Sequence, residues 1–139
     1  MGGRGSSASF GRRFATATER TQSEHRNIIR QLSSDSYEDG TYNVGTLTQV
    51  SYERGYQVTF CQIGDRYSDS EYRDKVNEFL THSSDGVTSA GKFEGEPEIS
   101  FNVASRREAI RLAQKYNQIS VWDWRNQEEI KTGGTGRRR

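Results

Sequence analysis

The chain has a single cysteine, Cys61, and only 30% of its 139 residues are apolar. One cysteine excludes an internal disulfide, and a zinc site needs about four nitrogen or sulfur ligands. A reducing compartment is the matching expectation, the cytoplasm of a host cell in particular. No run of about 18 apolar residues occurs, so no membrane-spanning helix and no membrane partner are expected. Met1 to Phe14 contains arginines but no apolar stretch, so a secretory signal is not expected there. Gly2, Gly3, Gly5 and Gly11 argue against an amphipathic transit helix. Neither a GxxxxGK[ST] loop nor a GxGxxG turn after a strand is present, and no cofactor is expected. The apolar share is small for a chain packed from end to end. Its apolar residues gather between Tyr42 and Ile130, which bounds the core to one domain.

A net charge of +1 conceals an asymmetry. Residues 1–34 hold six arginines against two glutamates, and residues 131–139 hold Lys131 and three arginines. Residues 35–130 hold ten basic and seventeen acidic side chains. The reading is a basic arm over 1–34, disordered or conditionally helical, an α+β domain over 41–131, and a basic flexible tail over 132–139. Such ends either seek phosphate or an acidic surface, or only confer solubility.

Within the arm, Ile28, Ile29 and Leu32 predict a helix over 18–32 that needs a partner surface to be stable. Tyr42, Val44, Val50 and Tyr52 predict an extended edge segment or hairpin, with Gly45 marking a bulge. Tyr56, Val58 and Phe60 alternate with Gln57, Thr59 and Cys61, as a half-buried strand does. Ser68 and Glu71 form a capping-box pattern before the stripe Tyr72, Val76, Phe79 and Leu80. A short strand is expected over Val87–Phe93 and a better one over Glu98–Val103. Ser105 and Glu108 repeat the capping-box pattern before Ala109, Leu112, Ala113 and Tyr116, with Asn117 as the cap that ends the helix. Ile119–Trp124 is the last full strand, and Glu128–Lys131 pairs back on it. The order over residues 56–124 is β-α-β-β-α-β. Laying both helices on one face of an antiparallel sheet gives a ferredoxin-like sandwich.

Nucleophilic catalysis needs a nucleophile, a base and a group that orients the base. Cys61 and His82 are the one pair to test, and each has an ordinary structural explanation. Asp123 lies between two indoles, yet on a strand its side chain points away from both. No catalytic residue and no metal ligand are assigned, and the chain is read as non-enzymatic. The faces of the two central strands not shared with the core offer Gln57, Thr59, Cys61, Glu98, Ser100 and Asn102, none of which stacks on a base. RNA or DNA contact is therefore expected only through the tails.

The assigned binding residues fall in three groups. Arg4, Arg12, Arg13 and Arg20 in the arm would meet RNA or an acidic patch. Glu94, Glu96 and Glu98, if extended, set three carboxylates on one side for a basic protein surface, or else guard a sheet edge against aggregation. Trp122 and Trp124 share a strand face and anchor an interface if that face is uncovered.

Two stretches carry a resemblance. Met1-Gly-Gly-Arg-Gly-Ser-Ser7 and Ala113-Gln-Lys-Tyr-Asn-Gln-Ile-Ser-Val-Trp-Asp-Trp124 resemble segments of small proteins from phages and mobile elements of low-GC Gram-positive bacteria. The resemblance covers under a fifth of the chain and transfers no functional residue. It implies a phage-encoded inhibitor of a host defence nucleoprotein, of the anti-CRISPR type with a CRISPR effector nuclease as one such target, or a virion-associated accessory protein that binds nucleic acid through its tails.

Overall fold

The computed structural model describes residues 22–62 and 67–136, with only the backbone of 61 and 62. Three helices and a curled seven-stranded sheet make an α+β body. In chain order the elements are α1 (Gln22–Leu32), β1 (Gly40–Asn43), β2 (Gln49–Val50), β3 (Tyr56–Gln62), α2 (Asp69–His82), β4 (Ser83–Phe93), β5 (Glu96–Val103), α3 (Arg106–Lys115), β6 (Ser120–Asp123) and β7 (Glu128–Lys131). The sheet order is β2-β1-β4-β5-β3-β6-β7, and every pairing is antiparallel. This seven-stranded order differs from that of a four-stranded ferredoxin-like sandwich, with β1 and β2 added beyond β4 and β7 beyond β6.

Both predicted helix starts are present. At α2, the Ser68 hydroxyl accepts from the Glu71 N–H and the Glu71 carboxylate accepts from the Ser68 N–H, the full reciprocal box. At α3, Ser105 caps Glu108, but the Glu108 carboxylate turns to Arg111, 2.8 Å away. Asn117 takes a left-handed conformation with φ 58°, which lets α3 stop and the chain enter β6.

Helix α1 buries His25, Ile28, Ile29 and Leu32, and it packs on β4 and β5. The partner surface that its polar first half needs is therefore the sheet, and the helix belongs with the folded body. Of the two forms expected from Thr41 to Tyr52, an extended edge segment or a hairpin, the chain takes the hairpin. The Asn43 carboxamide oxygen accepts from the Gly45 and Thr46 N–H groups, and Leu47 adopts φ 55°. This side-chain turn folds the segment into the β1–β2 hairpin. Strand β4 begins at Ser83, directly after α2, and absorbs an irregularity between Ser83 and Thr88, where the Asp85 carboxylate accepts from Ser83 and Val87.

The core lies between the helices and one sheet face. Phe60, Tyr72, Phe79, Phe101 and Tyr116 form its aromatic centre, with ring centroids 5.2–6.4 Å apart. Val58, Ala90, Ile99, Val103 and Val121 surround them. A bulge between Thr59 and Cys61 shifts the register of β3, so that Cys61 stands opposite Ile99.

Candidate functional site

The sheet face without helices is concave. Gln57 and Thr59 of β3 and Ser100 of β5 form its floor. Thr41 and Gly91 lie on one side, and Ser120, Trp122 and Trp124 lie on the other. Curling of both edges over this floor leaves a cleft of about 650 Å³. The curl explains why a polar face is buried: Gln57 and Thr59 are each 8% exposed and Ser100 only 1%. The floor satisfies itself, as buried polar groups must. Gln57 Nε2 donates to Ser100 Oγ at 3.0 Å, while Gln57 Oε1 accepts from Trp124 Nε1 at 2.9 Å.

The two tryptophans lie on this face, away from the helices, but they serve different ends. Trp124 is buried, bonded to Gln57, and packed against Tyr52 at 5.6 Å. Tyr52 in turn donates to Asp85 at 2.8 Å, and burial pushes its hydroxyl up to about 12. Trp124, backed by Tyr52, thus closes one end of the cleft. Trp122 is half-buried, stands edge-on to Trp124 at 6.4 Å, and lines the wall. Of the two expected anchors, Trp122 has a face toward the cleft, and Trp124 holds the floor in place.

The opposite end carries Phe93, Glu98, Gln118, Ile119 and Gly136. Phe93 is 39% and Ile119 43% exposed, two of the three large apolar side chains left uncovered among the described residues. The carboxylates along the cleft are Asp39, Glu98 and Glu129. Among the described residues its cation is Lys92, which sends its ammonium elsewhere, to the Ser34 and Tyr37 carbonyls at 2.9 and 3.0 Å. A hydrogen bond from Ser120 and the nearby Lys131 hold the Glu129 carboxyl below its usual range.

The expected three-carboxylate ridge does not form. Glu94 and Gly95 are the two turn residues between β4 and β5, with φ 51° and 80°. Asp39 fixes that turn by accepting both of their N–H groups at 2.8 and 3.1 Å. Glu94 is thereby turned out of line, whereas Glu96 and Glu98 share the concave side and Glu98 reaches the cleft. Arg4, Arg12, Arg13 and Arg20 lie outside the described residues.

Cys61 and His82 are not brought together. Cys61 is opposite Ile99, whereas His82 precedes Ser83, which is opposite Val103 at the other end of the sheet. His82 Nδ1 lies 3.6 Å from Glu108 on α3. Asp123 faces the helix side. Burial pushes its carboxyl up, but hydrogen bonds from the Asn126 side chain and from the Asn126 and Arg125 backbone outweigh that and hold it below its usual range. Among the described residues, no group of three or more His, Cys, Asp or Glu is placed to hold a metal ion, and no helix is long and apolar enough to cross a membrane.

Phe93 and Ile119 carry no motif. Strict alternation puts Ile119 on the face opposite Trp122, but the left-handed Asn117 and the returning segment after β7 reset it. Thr132 N donates to Ile119 O at 2.9 Å, and Gly136 N donates to Asn117 O at 2.7 Å. Close packing of Gly134 on the Asn117–Gln118 backbone was the available signal, hidden in a run that reads as a flexible tail.

No protein-family model, curated protein or solved structure matches the chain.

Proposed function

We propose that the chain is a non-enzymatic binding protein whose concave sheet face takes an extended basic segment of a partner protein. The observation that carries this reading is the cleft itself. Half-buried and uncovered apolar side chains (Trp122, Phe93, Ile119) line it together with Glu98 and Glu129, and Lys92, the lining cation among the described residues, is turned away. Apolar anchors set the register of a bound strand, and carboxylates select basic side chains. The acidic body thus meets basic protein surface through the cleft rather than through an exposed ridge.

Two finer readings accompany this one. The segment β3-α2-β4-β5-α3-β6 is read as a ferredoxin-like unit, supported by α2 and α3 packing on the same face and by the order β4-β5-β3-β6 within the sheet. The partner is read as a host defence nucleoprotein, with the chain acting as a phage inhibitor of the anti-CRISPR type. The support for that is the resemblance of residues 1–7 and 113–124, together with the carboxylates along the cleft, which suit the kind of basic surface that holds nucleic acid.

The test is a titration of the full chain with a synthetic decapeptide of alternating arginine and leucine, read by tryptophan emission. Both tryptophans of the chain line the cleft, so emission reports that face alone. Saturable binding that Glu98→Lys weakens about tenfold supports the reading. Emission that does not respond, or a response that Glu98→Lys leaves unchanged, rejects it.

A further inference from the structure

The chain contains its own segment of the kind the cleft is built to take. Residues 10–14 read Phe-Gly-Arg-Arg-Phe, and Phe10 and Phe14 are the only aromatic side chains before Gln22. In an extended strand, alternate side chains share a side. Phe10, Arg12 and Phe14 then form an apolar-basic-apolar row about 14 Å long at ~3.4 Å per residue. The mouth of the cleft presents the complementary row: Phe93 on β4, Glu98 on β5 and Ile119 at the start of β6. From β4 to β6 there are three strand intervals, about 14 Å at ~4.8 Å each. The row runs obliquely across the strands, since Phe93 pairs with Glu96, two residues along β5 from Glu98.

The tether also reaches. Gln22 is fixed at the start of α1 by a two-way bond to Tyr67, whose N–H donates to the Gln22 carboxamide oxygen and whose carbonyl accepts from its nitrogen. Tyr67 follows shortly after the end of β3 and stacks on Phe60 at 5.8 Å. The end of β3 pairs with Glu98. The chain therefore enters α1 at the same end of the sheet as the uncovered mouth of the cleft. Seven residues lie between Phe14 and Gln22, and the eight steps span at most about 28 Å. Crossing from the helix layer over the sheet end to the other face takes roughly 20 Å, one layer spacing of about 10 Å on each side of the sheet.

We infer that the Phe10–Phe14 segment docks in its own chain's cleft, Phe10 and Phe14 on Phe93 and Ile119 with Arg12 on Glu98, and competes there with the partner. This rests on the reading of the cleft as a site for a basic extended segment. Arg137–Arg139 are the rival occupant, because the chain passes Gly136 beside Ile119. That tail answers the charge but brings no apolar side chain to cover Phe93 and Ile119.

The experiment uses the full chain and a synthetic peptide of residues 8–16, Ala-Ser-Phe-Gly-Arg-Arg-Phe-Ala-Thr. Peptide binding is measured on the native chain, on a Phe10→Ala, Arg12→Glu, Phe14→Ala variant, and on a variant with Arg137, Arg138 and Arg139 changed to Glu. The Ile119 methyl resonance is followed in each. An arm that fills the cleft about nine-tenths of the time makes added peptide bind about tenfold weaker. The arm variant should therefore bind peptide about tenfold tighter than the native chain, with the Ile119 methyl shifted before any peptide is added. Equal binding by the native chain and the arm variant overturns the docked arm while leaving the cleft as a basic-segment site. Release by the tail variant alone assigns the cleft to the tail and likewise overturns it. Absence of peptide binding in all three overturns the arm and the cleft reading together. An effect that grows with protein concentration makes the occupant a second copy's arm and overturns docking within one chain.

Discussion

At the scale of single residues, Trp122 and Trp124 stand two apart on one strand face and part company in what their loss should do. Trp122→Ala removes a half-buried indole from the cleft wall, so it should weaken peptide binding about tenfold or more and leave chemical denaturation nearly unchanged. Trp124→Ala removes a buried indole and strands the Gln57 carboxamide oxygen beneath it. A loss of about 3 kcal/mol in urea unfolding is expected. Gly134→Ala is a third case. A Cβ there would sit 2.3 Å from the Gln118 carbonyl oxygen and 2.5 Å from the Asn117 carbonyl carbon, both backbone. The returning segment 132–136 must then lift away, at a cost of about 1–3 kcal/mol, with faster hydrogen exchange at the Gly136 amide.

At the scale of elements, the starts of the two crossover helices were readable because capping chemistry is local: a hydroxyl, three residues, a carboxylate. Ser68→Ala removes a reciprocal box and should cost about 1 kcal/mol in thermal unfolding. The partner of Glu108 was not readable, since Arg111 and His82 compete for it and His82 comes from another helix. Between α2 and α3, burial pushes the Glu78 carboxyl up, but hydrogen bonds from Lys115 and Tyr116 outweigh that and hold it below its usual range. A hydrogen bond from Arg111 lowers Glu108 as well. Groups lowered in the folded state bind fewer protons there than in the unfolded chain. Their contribution is complete above the unfolded value of 4.5 and is lost as pH falls below it. Thermal stability should drop from about pH 4.5 downward in the native chain. That drop should be smaller in a Glu78→Gln variant, which starts out less stable at neutral pH.

At the scale of the whole molecule, the α+β class, both crossover helices and the β6–β7 hairpin were legible from periodicity. The curl was not, because it arises from how both edges bend over a polar floor. Gln57, Thr59 and Ser100 read as a solvated face and are instead nearly buried. The Glu94–Glu98 ridge failed for a related reason: Asp39, 55 residues earlier, pins Glu94 into a turn, and no local pattern announces that. Placement of Glu98, Phe93, Ile119 and Trp122 around one cleft is a product of strand order, which joins residues from distant stretches of chain. The central claim is that this concave face binds a protein partner. The most direct test is nuclease-treated affinity capture from bacterial lysate, read by mass spectrometry, with the native chain beside a Trp122→Ala, Glu98→Lys variant. The account predicts one basic partner that survives nuclease, is recovered by the native chain and is lost from the variant. Equal recovery by both chains, or capture that vanishes with nuclease, would contradict it.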